Sequence, residues 1–472
     1  MALGAVLATI GIVVLARSPV HGPTAAGDRA AQPRASDAAP SWRTAASVPA
    51  DGHDQNPMAD YVRVLIGTDT YRPDVNGAAY FTHRPATGLA VRGHDVHVVC
   101  PSADGTEGTR VEDGVTVHRL RSWRTPMHPT FRVCLPPVVG SVVGAVLHGV
   151  APDVVHVQGH FLIGRVLLRA AHRRRLPVVG TNHFMPDNLL GYAHVPAPVH
   201  RLVRDLGWWD FTRVFNQADQ ITTPTPVAAD LIRGIGLHPP IRAISCGIDL
   251  ARFHAPAPGG RAAFAAHVFG LSDRATLLFV GRLDEEKHLH ELVAALPTVR
   301  RHVDAQLVLV GTGTQYQRLA ALARQLGVTA DVHFLGFVPD ADLPRVYAAA
   351  DVFAMPGVAE LQSLATLEAM ASGLPVLAAD TMALPHLVHP GVNGYLYPPG
   401  DIATLASRAV ALLSCPTLRR RMGRASRQIA SGHDADATFA QFEALYAQLR
   451  TPAPRPRVTS GSAYRPTVRA NR

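Results

Sequence analysis

Two glutamates in the stretch Glu360-Leu-Gln-Ser-Leu-Ala-Thr-Leu-Glu368, which runs on through Ala-Met-Ala-Ser-Gly-Leu-Pro-Val376, have the types and spacing to do chemistry. Leu364, Leu367 and Ala371 recur at helical spacing, Ser363 can cap the start, and Gly373 then Pro375 supply a stop, so a short helix is expected from about Ser363 to Ser372. The first turn of such a helix presents unpaired N–H groups and the positive end of the macrodipole, a receptor for phosphate at Ser363 and Leu364. Glu360 lies just before that end, and Glu368 projects one turn above it, where its carboxylate can accept hydrogen bonds from sugar hydroxyls. Two surface charges on an ordinary amphipathic helix would have the same spacing.

A second stretch, Leu277-Leu-Phe-Val-Gly-Arg282-Leu-Asp-Glu-Glu-Lys287, weighs against that plainer reading. Its apolar run ending in Gly281 predicts a buried parallel strand, with Arg282 and Lys287 leaving the C-terminal end where open α/β sheets bind ligands. Lys287 is the only lysine of the chain, every other cation among the 45 Lys and Arg being arginine. A compact ammonium suits phosphate oxygens as a point charge. A solvated lysine beside Glu285 and Glu286 is the alternative.

With both stretches in hand, the chain resembles the retaining glycosyltransferases of the GT-B fold, specifically glycosyltransferase family four, from about Val62 to Leu449. The most specific part is the pair of glutamates separated by seven residues inside a Glu-x-Gln-Ser-Leu-x-Thr-Leu-Glu-Ala-Met-Ala-Ser-Gly-x-Pro-Val context. The resemblance implies an α/β architecture of two Rossmann-like, doubly wound parallel-sheet domains facing a central cleft. It also implies a nucleotide diphosphate-sugar donor, a hydroxyl acceptor and no cofactor.

Composition sets the outer bounds. The 472 residues suffice for two domains plus tails, and 47% hydrophobic with 17% charged residues fits a globular protein. A net charge of +9 favours anionic partners: a nucleotide diphosphate or an anionic membrane contacted peripherally. Nucleic acid is disfavoured, because the arginines are dispersed and not interleaved with aromatics. Cys100, Cys134, Cys246 and Cys415 show no paired metal-ligand spacing, so a reducing cytoplasm, no disulfide and no obligatory metal are expected.

Taken in order, residues 1–57 form an apolar start and a disordered-looking linker, outside the fold and short of a convincing membrane span. Residues 58–236 then alternate strands and helices as a first Rossmann-like, acceptor domain. Its first loop carries Gly77, where the resemblance places backbone close to the donor diphosphate. Pro85 falls inside the following helix, where it removes a hydrogen bond at about 3 kcal/mol or kinks the chain. His183 matches the family position that faces the transferred sugar, with His156, Gln158 and His160 near the same edge and Trp208 and Trp209 as core or acceptor-side aromatics. Residues 237–260 are the hinge candidate, 261–436 the donor domain, 437–450 a helix crossing back, and 451–472 a disordered basic tail.

On this reading Arg282, Lys287 and the helix start at Ser363–Leu364 neutralise the leaving diphosphate. The resemblance assigns Glu360 to orienting the sugar and Glu368 to the ribose hydroxyls. The acceptor stays open between a lipid or envelope glycan precursor and a soluble phosphorylated compound, with Leu189, Leu190 and Tyr192 as candidate interfacial residues. A nucleotide-sugar epimerase or hydrolase, and a silent nucleotide-binding module, are the alternatives from other classes.

Overall fold

A computed structural model describes residues 61–74, 76–124, 132–183, 197–254 and 273–450. The expectations placed on residues 1–57, on Leu189, Leu190 and Tyr192, on 255–260 and on the tail 451–472 lie outside the described residues.

The first lobe contains β1 (Arg63–Gly67), α1 (Gly77–Val91), β2 (Asp95–Pro101), β3 (Gly108–Glu112), β4 (Val115–Leu120), β5 (Trp123–Arg124), β6 (Arg132–Val133) and α2 (Pro136–Val150). It continues through β7 (Val154–Val157), α3 (Leu162–Arg173), β8 (Val178–Thr181), α4 (Ala197–Phe215), β9 (Gln220–Thr223), α5 (Pro226–Arg233) and β10 (Ile241–Ala243). Its sheet has the order β10-β9-β8-β7-β1-β2-β4-β3, and every pairing is parallel except that of β3 with β4. β3 carries no apolar signal because it is an exposed edge strand, held by the Asp113-Gly114 hairpin with both residues at positive φ.

The second lobe contains β11 (Ala275–Val280), α6 (Leu289–Arg300), β12 (Ala305–Val310), α7 (Tyr316–Gln325), β13 (Val332–Gly336), α8 (Leu343–Ala348) and β14 (Val352–Met355). It closes with α9 (Leu364–Ala371), β15 (Val376–Ala379), α10 (Leu384–Leu387), β16 (Gly394–Tyr397), α11 (Ile402–Leu413) and α12 (Pro416–Ser431). The sheet is parallel throughout, in the order β13-β12-β11-β14-β15-β16. All six residues of β12 are buried, which is why this strand reads as apolar but for Gln306, whose amide donates to the Thr276 hydroxyl at 2.9 Å. The turn closed by the Asn393 N–H on the His389 carbonyl at 3.3 Å leads into β16: a Cβ on Gly394 would stand 1.9 Å from the Val376 carbonyl oxygen, so only glycine lets this strand close on β15.

The connection between lobes lies within the hinge candidate 237–260, whose start contributes β10 to the first sheet, with Ile241 opposite Ile221. The crossing itself falls between Cys246 and Ile248: Ile244 and Cys246 belong to the first lobe's core, Ile248 and Phe253 to the second. The last helix, α13 (Ala435–Arg450), returns to the first lobe, where Phe442, Leu445 and Tyr446 complete the core.

α1 runs unbroken through Pro85, which is buried. The ring deprives the Phe81 carbonyl of its intrahelical partner without ending the helix, because packing overrides local propensity there. Against the helix, alanine is favoured over proline by about 3 kcal/mol, and losing two buried methylenes costs about 0.8 kcal/mol each. Pro85→Ala is therefore expected to raise the unfolding free energy by about 1–2 kcal/mol in urea titrations; a loss would show that the ring's packing outweighs the missing bond.

Candidate functional site

Both sheets reverse their winding at one point, between β1 and β7 in the first lobe and between β11 and β14 in the second, and ligands bind outside strand ends at such points. In the second lobe the loop after β11 supplies Arg282 and Lys287, and the loop after β14 supplies Glu360. The two loops meet through Val358 N–H to the Glu286 carbonyl, 3.1 Å, and through an ion pair of Lys287 Nζ with Glu360 Oε1. The Glu360 residue is 8% exposed, so the pair is largely withdrawn from water.

The helix expected over Ser363–Ser372 forms as α9, Leu364–Ala371. Ser363 caps it, its hydroxyl accepting the Thr366 N–H at 3.3 Å, and Gly373 at φ 76 lets the Gly373 and Leu374 N–H groups close on the carbonyls of Met370 and Ala369. Thr366 to Ala371 are all buried, which removes the amphipathic surface-helix alternative. The start of α9 stands between the lobes. Thr225 donates to the Leu361 carbonyl at 2.9 Å, Gln362 Oε1 accepts the Cys246 N–H at 2.7 Å, and Leu364 packs on the first lobe's core. Leu364 and Ala365 thus present first-turn N–H groups, with no intrahelical acceptor, beside Lys287–Glu360.

Other expected residues are placed differently from the reading of them alone. Arg282 is bound to Asp284 and to Glu286 Oε1 at 2.6 Å, and Asp284 in turn accepts from the Thr314 N–H at 3.1 Å. Its guanidinium is thereby braced against the Gly311-Thr-Gly313 turn. Those glycines serve loop packing: a Cβ on Gly311 would lie 1.9 Å from the Gly281 carbonyl oxygen, and one on Gly313 2.5 Å from the Leu283 backbone. Glu368 is not an open carboxylate. Arg84 Nη2 meets its Oε1 at 2.7 Å, and the Tyr347 hydroxyl donates to its Oε2 at 2.9 Å. Burial and the Glu368 charge both raise the Tyr347 pKa, so the phenol stays a neutral donor.

Gly77 opens α1 instead of lying in a loop, behind the Asn76 cap whose Oδ1 accepts the Ala79 N–H at 2.9 Å. A Cβ there would meet no protein atom within 4 Å, so nothing in the protein itself requires glycine. His183 donates from Nε2 to Gln158 Oε1 at 2.8 Å and meets Phe81 edge-on, with ring centroids 4.5 Å apart. Burial lowers its pKa to about 3, so the ring is neutral and Nδ1 is left as an acceptor. Behind it, His156 bridges the Tyr446 hydroxyl at 2.7 Å and the Thr181 hydroxyl at 2.6 Å, a polar chain joining β7, β8 and α13. Trp208 packs on the first lobe's core, whereas Trp209 is exposed.

Arg84, Tyr347, Thr225 and Gln362 had not been singled out in the sequence. Of these, Thr225 before Pro226 had a readable signal, a helix cap that reappears at α5. Among the described residues, His288, His290 and Glu291 bring ligand atoms within 4.8 Å of one another. The Glu291 carboxylate there accepts from the Tyr397 hydroxyl at 2.8 Å and the Gly400 N–H at 3.0 Å, tying the start of α6 to the loop after β16.

Known proteins share the sequence pattern and the fold of this chain. The signature described as Glycosyltransferase Family 4 matches residues 75–252, and that described as Glycosyl transferases group 1 matches residues 267–429. The GDP-mannose-dependent alpha-mannosyltransferase of Mycobacterium tuberculosis is 30% identical over 400 residues, covering 83% of this chain and 99% of that protein. The chain belongs to glycosyltransferase family four. This glycosyltransferase is also 31% identical over 381 residues to the D-inositol 3-phosphate glycosyltransferase of Saccharomonospora viridis, with 75% and 85% of the two chains covered. Its fold is that of the sucrose-phosphate synthase of Thermosynechococcus elongatus, at a TM-score of 0.68 and 23% identity over 82% of this chain and 99% of that one. The GT-B architecture and the transfer of sugar from a nucleotide-sugar follow for the family member described here.

Proposed function

We propose that this glycosyltransferase moves a hexose, with retention and without a metal, from a nucleotide diphosphate-sugar to a hydroxyl acceptor, a lipid or envelope glycan precursor, at the cytoplasmic face of an anionic membrane. The observation that carries the reading is the Lys287–Glu360 pair at the second sheet's switch point, next to the first turn of α9. Breaking the bond from the sugar's anomeric carbon to the diphosphate leaves negative charge on the phosphate and positive character on the ring. Lys287, Arg282 and the α9 N–H groups are suited to the first, and Glu360 to the second. The acceptor oxygen bonds to the same carbon from the same face, and its proton passes to the departing phosphate oxygen. His183 Nδ1, a neutral acceptor, is suited to hold a hydroxyl of the transferred sugar. A screen of guanosine, uridine and adenosine diphosphate-hexoses, with product NMR in the presence of EDTA, tests the reading. Transfer with the donor's anomeric configuration is expected; an inverted product, or an epimerised free sugar, would overturn it.

The membrane part rests on one face of the first lobe. Leu202 and Trp209 on α4 are 58% and 46% exposed, Arg213 lies over the Trp209 ring, and Arg201 and Arg204 are exposed on the same helix, Arg204 with Asp205 at 3.5 Å. Among the described residues no helix is long and apolar enough to cross a membrane, so an amphipathic, basic face is the route to a bilayer. The protein should pellet with phosphatidylglycerol vesicles and remain in the supernatant with phosphatidylcholine; equal behaviour toward both would sink the surface reading.

A further inference from the structure

Arg84 reaches Glu368 from across the cleft. It stands on α1 of the first lobe, its Nη2 is 2.7 Å from Glu368 Oε1, and its Nη1 is 3.4 Å from the Gly247 carbonyl oxygen on the crossing segment. The two side chains are 19% and 8% exposed. The opposite side of the carboxylate belongs to the second lobe's own core, where Tyr347, itself fully buried, donates to Oε2. Tyr347 therefore fixes the carboxylate from within, and Arg84 covers the side that a ligand entering between the lobes would meet. A ribose diol offers two hydroxyl donors to a carboxylate and carries no charge. Its arrival would strand a guanidinium in a largely dry site unless another acid takes it.

Such an acid stands nearby. Asp340 spends Oδ2 on Arg252 Nη1 at 2.7 Å, while its Oδ1 is buried and has no hydrogen-bond partner. An orphaned carboxylate oxygen away from water is costly, and it points to a donor that is absent from this arrangement of side chains. Burial opposes the charge on Arg84, but Glu368 and then Asp340 outweigh it and raise its pKa. Burial likewise opposes the charge on Asp340, which Arg252 and then Arg84 restore. Arg84 is thus within electrostatic reach of both acids while bonded to one.

We infer that Arg84 is an exchangeable partner: it holds Glu368 while the donor site is vacant and passes to Asp340 when a ribose diol takes Glu368. Arg84 is a positioning residue in this scheme, and the inference rests on the reading that the donor's ribose binds Glu368. The exchange makes the lobe-to-lobe contact sensitive to the donor, because the same guanidinium that ties α1 to α9 moves to the start of α8.

Calorimetric titrations of the full chain with GDP, UDP and ADP, each beside its 2′,3′-dideoxy analogue, test this in wild type, Arg84→Met and Asp340→Asn. Removing the competitor should tighten the ribonucleotide at least fivefold in Arg84→Met, and removing the landing site should weaken it at least fivefold in Asp340→Asn. Neither substitution should move the dideoxy analogue by more than twofold. The opposite signs separate exchange from a structural role, which would weaken both ligands in both variants. If Arg84→Met does not fold, Asp340→Asn alone decides, since unchanged ribonucleotide affinity there overturns the exchange. Wild-type protein that binds none of the three nucleotides overturns the donor reading together with the exchange. Wild type that binds, with both variants indistinguishable from it, overturns the exchange alone.

Discussion

Replacing Lys287 by methionine is expected to lower kcat by about a hundred- to a thousandfold, the usual cost of deleting one preorganised donor aimed at developing negative charge. The single substitution has a second effect. Lys287 and Glu360 side chains are 17% and 10% exposed, so deleting the ammonium leaves a nearly buried carboxylate unpaired, at about 3–5 kcal/mol of stability. Lost activity could then follow from lost structure. The double variant Lys287→Met, Glu360→Gln removes both charges and should regain most of the melting temperature while staying as inactive as the single variant. Turnover at saturating donor, read beside thermal unfolding of both proteins, separates the two effects. Activity within tenfold of wild type in either variant would take Lys287 out of the chemistry.

Acid should unfold this protein steeply, with a midpoint near pH 5. His83, His156, His160 and His183 all have pKa values lowered by burial, His83 to about 4 and the others to about 3. A base with a depressed folded pKa favours the unfolded chain once that chain takes up its proton. The stability these residues leave intact at neutral pH is therefore lost as pH falls from about 6.5 toward 4. Four such protons correspond to a slope of about 5 kcal/mol per pH unit, enough to exhaust a typical domain's stability within two units. Asp69 runs the other way: burial raises its carboxyl to about 6, against the Ile163 and Gly164 N–H groups it caps, so its contribution rises as pH falls through that value. Burial raises the Asp74 carboxyl as well, but two opposing protons do not cancel four. Tryptophan fluorescence against pH, with proton uptake measured across the transition, checks this; a cooperative fold persisting at pH 4 would contradict it.

How much of this could be read in advance depended on whether the signal was local. α9 was legible because its cap, apolar repeat, glycine and proline fall within thirteen consecutive positions, Ser363 to Pro375. β12 was legible because burial on both faces leaves the apolar string Leu307 to Val310. β3 was not, since an exposed edge strand has no apolar alternation, and only Asp113-Gly114 marks its hairpin. Glu360 and Lys287 stand out in the sequence by their chemistry, and the fold brings them together, 73 residues apart in the chain. The partner of Glu368 was out of reach by any pattern, because Arg84 lies 284 residues away and nothing near either residue announces the other. Gln362 illustrates the same limit: its role, holding Cys246 and Ser245 on the crossing segment, exists only after the lobes have met.

The chain passes between the lobes twice, and its two passages are bonded to each other: the Ile248 N–H to the His433 carbonyl at 2.8 Å, and the Ala435 N–H to the Ile248 carbonyl at 3.0 Å. α13 then presses Phe439 so closely on α1 that a Cβ on Gly88 would stand 2.3 Å from its ring. The second lobe is consequently an insertion, topologically, within the first. Chimeras that trade specificity between relatives must be spliced at both passages, and a single-junction hybrid would pair one parent's α1 with the other's closing helix, mismatching the contact at Gly88 before any sugar is bound.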